Sequence, residues 1–434
     1  MRKLIRLISF FSAFVSALTL FRPRSGTLRV LLWIPKSLAE AITPFSSLLG
    51  AFGSVGGLVF KDVIAALGGF FGFMVSLRHV VRVTASHKEF DRVFGEGWEA
   101  RISAIQRERM LKTRWSPKLP VPPRVPWERD VTIGTNVDCG EPIWVDIWKP
   151  PDGVAPTGLG VIYLHGSGWH FCDKDLRTRR FFSHLAGQGH VMMDVAYTLA
   201  PNTRLRGMVS DVKQAIAWFK AHHDKYGIDP ERIVLMGGSA GGHLAMLSAY
   251  TPNDPAFQPE DIKVDTSVRA VISLYGPADL TQQHDYLSSS FTRYPSRDTR
   301  MGSALLSLFE RWGKKRRLVP AYGGFVEPHN ILPNVIGGTP EENLEEFQFG
   351  SPLYHIGDHC PATLLFQGTH DFAGMHPDVC RFYQALQEAG VPAILVEFPN
   401  TEHAFDILSP SRSPSTQAAI YDVERFLYLV GQDS

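Results

Sequence analysis

Gly237-Gly238-Ser239-Ala240-Gly241 follows the apolar run Ile233-Val234-Leu235-Met236 and leads into Gly242-His243-Leu244-Ala245-Met246-Leu247. A buried strand, a glycine-flanked turn with a serine at its tip, and a helix start form one unit, the arrangement of a nucleophile elbow. Such a turn forces the serine into a strained backbone conformation that lifts its hydroxyl above the sheet. Glycines on either side let neighbouring backbone pass without Cβ clashes. Taken alone the pentapeptide is a weak signal, because glycine-serine patterns recur in ordinary loops. Its reading depends on what stands at the other strand ends.

Working outward, apolar runs and helical spacings alternate. Strands are predicted over residues 141–148, 160–164, 191–196, 233–236, 268–274, 362–366 and 393–398. In 208–223, Val209, Val212, Ile216 and Phe219 share one face while Asp211, Lys213 and Lys220 lie off it, which predicts a helix. Residues 381–389 and 417–430 read as helices too. Strands separated by helices imply crossovers, and so an α/β fold with a mostly parallel central sheet covered by helices on both faces. Sites in such sheets collect at the carboxyl ends of the strands.

Polar signatures fall at those ends. His165-Gly166-Ser167-Gly168-Trp169 follows one strand, and a short flexible turn there can aim backbone N–H groups at a developing oxyanion. Phe366-Gln367-Gly368-Thr369-His370-Asp371 puts a carboxylate on a loop, and Pro399-Asn400-Thr401-Glu402-His403-Ala404-Phe405 does the same for a histidine. Each taken singly reads as a plain turn, cap or loop residue. Together, an oxyanion loop, a serine elbow, an aspartate and then a histidine follow the chain order of a hydrolase triad. His370 and His376 are rival bases on spacing, set aside because they precede the last strand. Asp194 and Asp211 read as structural.

With these motifs in hand, the chain resembles the α/β-hydrolase superfamily over roughly Val131 to Val430, in its hormone-sensitive-lipase-like branch of carboxylesterases, lipases and arylacetamide-deacetylase relatives. His165–Trp169 is similar to that branch's His-Gly-Gly-Gly-Trp. Tyr197-Thr198-Leu199-Ala200-Pro201 is similar to its Tyr-Arg-Leu-Ala-Pro, and Gly238-Ser239-Ala240-Gly241-Gly242 to its Asp-Ser-Ala-Gly-Gly. Ser167, Thr198 and Gly238 depart from the pattern without removing a reacting group, so they bear on substrate preference. The resemblance implies Ser239 as nucleophile, His403 as general base and acid, and Asp371 as the group that orients the imidazole. It implies an oxyanion hole from the N–H groups of Ser167, Gly168 and Ala240, with no metal and no cofactor.

Ahead of this region the composition changes. Arg2, Lys3 and Arg6 precede an apolar stretch that lasts to Phe21, which fits either a secretory signal or a first membrane anchor. A second tract from Ala41 to Leu77 is rich in Gly, Ala, Ser and Phe, and small residues of this kind let membrane helices approach closely. Residues 42–60 and 63–77 fit a helical hairpin whose turn, Lys61-Asp62, reaches the headgroups; the alternative is a glycine-rich apolar cap packed on the enzyme. Basic residues flank every junction, so the positive-inside count chooses no side.

The predicted organisation is a hydrophobic membrane-anchor region over 1–80, an amphipathic helix and proline-rich linker or cap over 81–130, and a catalytic domain over 131–434. An insertion at 277–345 within that domain reads as a lid. It holds an expected helix at 303–312 and the basic run Arg311-Trp312-Gly313-Lys314-Lys315-Arg316-Arg317, a candidate contact for anionic headgroups. With 44 Lys+Arg against 43 Asp+Glu, no global basic field recommends a nucleic acid partner. The four cysteines form no Cys-x-x-Cys pair and read as small buried apolar residues. The expectation is thus a membrane-anchored serine hydrolase acting on small lipophilic esters, with membrane lipids around it. An amidase or deacetylase using the same triad, and a non-catalytic receptor for a lipophilic ligand, stand as alternatives.

Overall fold

The computed structural model describes residues 1–166, 168–290, 326–407 and 411–432. Its apolar runs pair into one eight-stranded sheet: β1 (Trp127–Thr135), β2 (Pro142–Trp148), β3 (Gly158–Leu164), β4 (Val191–Ala196), β5 (Ile228–Gly238), β6 (Ala270–Leu274), β7 (Ala362–Gly368) and β8 (Ala393–Phe398). The order across the sheet is β1-β2-β4-β3-β5-β6-β7-β8. β2 runs antiparallel to both β1 and β4, and every other pairing is parallel. All the expected strands are present. β1 was not expected; Glu128, Arg129 and Asp130 mask its alternation, and the anticipated domain start at residue 131 falls inside it.

Side chains alternate across the sheet and so build two apolar layers. Ile162 and Leu164 pack with the helices Leu205–Ala221 and Ala240–Tyr250 on one face, while Val161 and Tyr163 pack with Arg179–Ala186 and Pro414–Val430 on the other. The strand order reverses beside β3, between β4 and β5, which opens a crevice at their carboxyl ends. Both the loop after β3 and the turn after β5 border that crevice.

The first four helices ahead of the sheet are α1 (Arg2–Leu20), α2 (Gly26–Ala41), α3 (Thr43–Val59) and α4 (Val63–Val83). By length and composition, α1 and α4 are apolar enough to cross a membrane. Residues 28–41 and 43–59 pass that test only as a pair, bent by 69°. The expected hairpin exists as α3 and α4, with α4 running to Val83 rather than stopping at residue 77. Its turn differs from the expectation: Asp62 is buried, accepts hydrogen bonds from Arg2 and Arg6 of α1, and caps α4 through the Ala65 N–H at 3.2 Å. Small residues bring the backbones together. A Cβ on Gly57 would sit 2.3 Å from the Ala66 nitrogen, and one on Gly69 2.3 Å from that of Ser54. Serines then bridge helices, Ser12 to the Ser46 carbonyl at 2.7 Å and Ser16 to Ser76 at 2.9 Å.

The single amphipathic helix expected after residue 81 is broken into Glu89–Phe94, a 3-10 turn at Trp98–Arg101 and Ala104–Arg109. Gly95 and Gly97, at φ +87° and +75°, separate the first two. Phe90, Trp98, Ile102 and Met110 are buried against the sheet domain. In the insertion, Leu280–Ser290, Ile331–Ile336 and Pro340–Phe349 are helical. The helix expected at 303–312 and the basic run Arg311–Arg317 lie outside the described residues. No disulfide joins Cys139, Cys172, Cys360 and Cys380, and of the four only Cys360 is buried, which corrects the reading of them as buried apolar residues.

Candidate active site

The turn after β5 is built from sterics. Ser239 sits at φ 54°, ψ −122°, a conformation that L side chains rarely adopt. Gly241 must be glycine for the helix to pass under β3, because a Cβ there would lie 2.1 Å from the Leu164 carbonyl oxygen. The Ser239 N–H donates to the Leu274 carbonyl at 2.8 Å, and the His243 N–H to the Ser239 carbonyl at 2.9 Å. The serine is thereby pinned between β6 and the first helical turn, with its side chain half-buried.

Its hydroxyl meets an imidazole. Ser239 Oγ is 2.9 Å from His403 Nε2, and His403 Nδ1 is 2.9 Å from Asp371 Oδ2. Asp371 is held in turn by Gln367 Nε2 at 3.0 Å and by the Ala373 N–H at 2.8 Å. Both the imidazole and the carboxylate are buried. A carboxylate at Nδ1 fixes the tautomer that leaves the Nε2 lone pair facing the serine hydroxyl. Such a chain can take a proton from Oγ and return it to a leaving group.

The loop after β3 runs alongside. A Cβ on Gly166 would sit 3.1 Å from the Gly238 carbonyl and 3.5 Å from Ser239 Cβ. The Tyr197 hydroxyl donates to the His165 carbonyl at 2.9 Å, and the two rings stack at 4.6 Å. Burial pushes the His165 imidazole down to about 4, so it stays neutral. Gly168 takes φ +55°, a left-handed turn suited to glycine. Ala240 is buried at the start of the helix. Ser167 lies outside the described residues. Gly238 stands where the resembled motif has an aspartate, and a Cβ there would come 3.1 Å from the Tyr275 hydroxyl, so that space is filled.

The rival histidines are engaged elsewhere. Burial, reinforced by the charges of Lys36 and Arg22, pushes His370 down to about 3. His376 bonds Glu397 at 2.6 Å, with Cys380 Sγ 3.7 Å from its ring. That trio has metal-type donors, but helix spacing and a histidine–glutamate hydrogen bond account for it. Asp194 and Asp211 hold backbone N–H groups of Asp175 and Thr198, each at 2.7–2.8 Å.

Sequence reasoning missed one set of neighbours. The Trp33 indole N–H donates to the His403 carbonyl at 2.7 Å, and Lys36 and Glu40 of the same helix reach Glu402. A polar stripe at helical spacing in 26–41 was the available signal.

The chain is similar to several known proteins. Residues 145–313 match the BD-FAE family model and residues 330–426 that of the Prolyl oligopeptidase family. The probable carboxylic ester hydrolase LipM of Mycobacterium tuberculosis is 31% identical over 69% of this chain and 60% of its own length. Esterase LipQ of the same organism is 28% identical over 65% of this chain and 59% of its own length. The chain therefore spans about 60% of the curated relatives it matches. A native thermophilic esterase from the planctomycete Thermogutta terrifontis superposes with a TM-score of 0.50 at 23% identity, over 70% of this chain and 92% of that one. That likeness and the sheet order bear out the expected fold.

Proposed function

We propose that this chain, which has the α/β-hydrolase fold and is similar to carboxylic ester hydrolases, is a hormone-sensitive-lipase-like, membrane-anchored serine hydrolase of small lipophilic esters. The observation that carries the reading is the hydrogen-bonded chain from Ser239 through His403 to Asp371. Ser239 Oγ attacks the ester carbonyl as His403 Nε2 takes its proton, and Asp371 stabilises the resulting imidazolium. The N–H groups of Gly168 and Ala240, with that of Ser167, receive the oxyanion. Removing one such donor typically costs about 3 kcal/mol of transition-state stabilisation. His403 then protonates the departing alcohol, and water, activated by the same imidazole, releases the acid from the acyl-serine.

Residues 1–80 act as the anchor: α1 and α4 have spanning length and carry outward apolar faces, with Leu7, Phe14, Leu67 and Phe70 all exposed. Membrane lipid is the partner of those faces, and lipophilic esters would be drawn from it. The catalytic unit begins at β1. Amide hydrolysis by the same residues is the second reading, favoured by the likeness of 330–426 to the Prolyl oligopeptidase family. A non-catalytic receptor would have no use for an intact Ser239, Asp371 and His403 in hydrogen-bond contact. Turnover of a matched panel of p-nitrophenyl esters and anilides by the full chain tests the assignment. Ester cleavage dominating is the expected result, and anilide cleavage dominating would transfer the assignment to an amidase.

A further inference from the structure

α2 carries two opposed stripes. Arg29, Trp33, Lys36 and Glu40 recur at three- and four-residue spacing and so share one face. Leu28, Leu31, Ile34 and Leu38 occupy the opposite face and are between 36% and 58% exposed. An amphipathic helix of this kind suits the boundary between headgroups and acyl chains. Its polar stripe is not in water, however: it lies on the loops that bring Asp371 and His403 to Ser239.

The contacts bracket the general base. Glu40 Oε2 accepts the Glu402 N–H at 3.1 Å, and the Trp33 indole donates to the His403 carbonyl at 2.7 Å. Between them, the Lys36 ammonium pairs with the Glu402 carboxylate, and both side chains are fully buried. The Trp33 ring packs 5.2 Å from Phe372, whose own ring lies 5.4 Å from that of His403. Arg29 binds the Tyr286 hydroxyl, which donates to the Phe372 carbonyl at 2.8 Å. Immediately after His403, Ala404 stands at φ 56°, a conformation a residue with a Cβ rarely holds without outside support.

We propose that Trp33, Lys36 and Glu40 are positioning residues for His403, so that the interfacial helix sets the reach of the imidazole to Ser239. This rests on Ser239 being the nucleophile and His403 its base. The apolar stripe seats α2 at the bilayer, and the polar stripe holds the Glu402–His403 peptide. Displacing a reacting group by about 1 Å can cost on the order of 100-fold in rate. Lys36 is a poor probe by itself, because removing it strands buried carboxylates and destabilises the fold. Trp33 and Glu40 are the informative positions.

The test uses the full chain in lipid nanodiscs, reading kcat and KM on a short p-nitrophenyl ester and the rate of fluorophosphonate labelling. Trp33→Phe keeps an aromatic ring beside Phe372 but loses the donor, along with the volume of the indole's second ring. It is expected to lower kcat and labelling rate together by roughly tenfold or more, with KM within about twofold. Glu40→Leu is expected to do the same, whereas Glu40→Gln, which keeps an oxygen for the Glu402 N–H, recovers most of the rate. If Trp33→Phe fails to fold, the Glu40 pair decides alone. Wild-type kcat in a folded Trp33→Phe, or Glu40→Leu and Glu40→Gln that cannot be told apart, overturns the proposal. Absence of labelling in the wild type would instead strike at the reading of Ser239 itself.

Discussion

Ser239 Oγ and His403 Nε2 stand 2.9 Å apart although 164 residues separate them in the chain. The contact exists because β5 and β8 both end at the same rim of the sheet, with β6 and β7 between them.

Asp371→Asn keeps the shape of the side chain while removing the charge that faces His403 Nδ1. The amide favours the wrong imidazole tautomer, so kcat is expected to fall by about 10⁴ with KM little changed. Steady-state kinetics on a soluble ester measures this. A loss smaller than tenfold would show that the carboxylate does not orient the base.

Gly241→Ala forces a methyl to within 2.1 Å of the Leu164 carbonyl oxygen and 2.7 Å of that of His165. Neither is a flexible side chain, so the helix must move away from β3. A loss of about 1–3 kcal/mol in stability is expected, together with slow labelling at Ser239 in the folded fraction. Thermal unfolding and labelling rate, read on the same sample, check both effects.

His190 is buried and bonds Thr157 through Nδ1 at 2.8 Å, and burial pushes its imidazole down to about 4. Between pH 4 and about 6.5 the unfolded chain then carries a proton at this site that the folded chain lacks. Stability therefore rises with pH across that window, by up to about 1.4 kcal/mol per unit from this group, and is lost on acidification. His190→Gln should flatten the dependence of the melting temperature on pH between those limits. An unchanged slope would mean that the imidazole is charged when folded.

Gly69→Leu tests the anchor. The substitution keeps α4 apolar but puts side-chain atoms where Ser54 backbone now lies, with the Cβ alone 2.3 Å from its nitrogen. Membrane association is expected to persist while the detergent-solubilised protein melts at lower temperature. An unshifted melting temperature would contradict the close packing of α3 on α4.

What was legible in the sequence follows from which constraints are local. Ser239, Asp371 and His403 could be read because each is a loop residue just beyond an apolar strand, and strand ends converge by topology. Gly241 was legible for a related reason, since a helix tucked under a neighbouring strand admits no Cβ. β1 escaped because an edge strand is half-exposed and tolerates charge, which erases the alternation that reveals inner strands. α2 escaped because Arg29, Lys36 and Glu40 interrupt its apolar run, and their partners lie at the far end of the chain. Trp33 and His403 are 370 residues apart, and no local pattern records such a pairing.

The central claim is that Ser239 is the nucleophile of a working hydrolase. The most direct measurement is fluorophosphonate labelling of the full-length wild type and of Ser239→Ala, with ester hydrolysis followed in parallel and folding checked by circular dichroism. Stoichiometric labelling and turnover are expected in the wild type, with both abolished in a folded Ser239→Ala. Undiminished labelling or turnover in the alanine variant would contradict it.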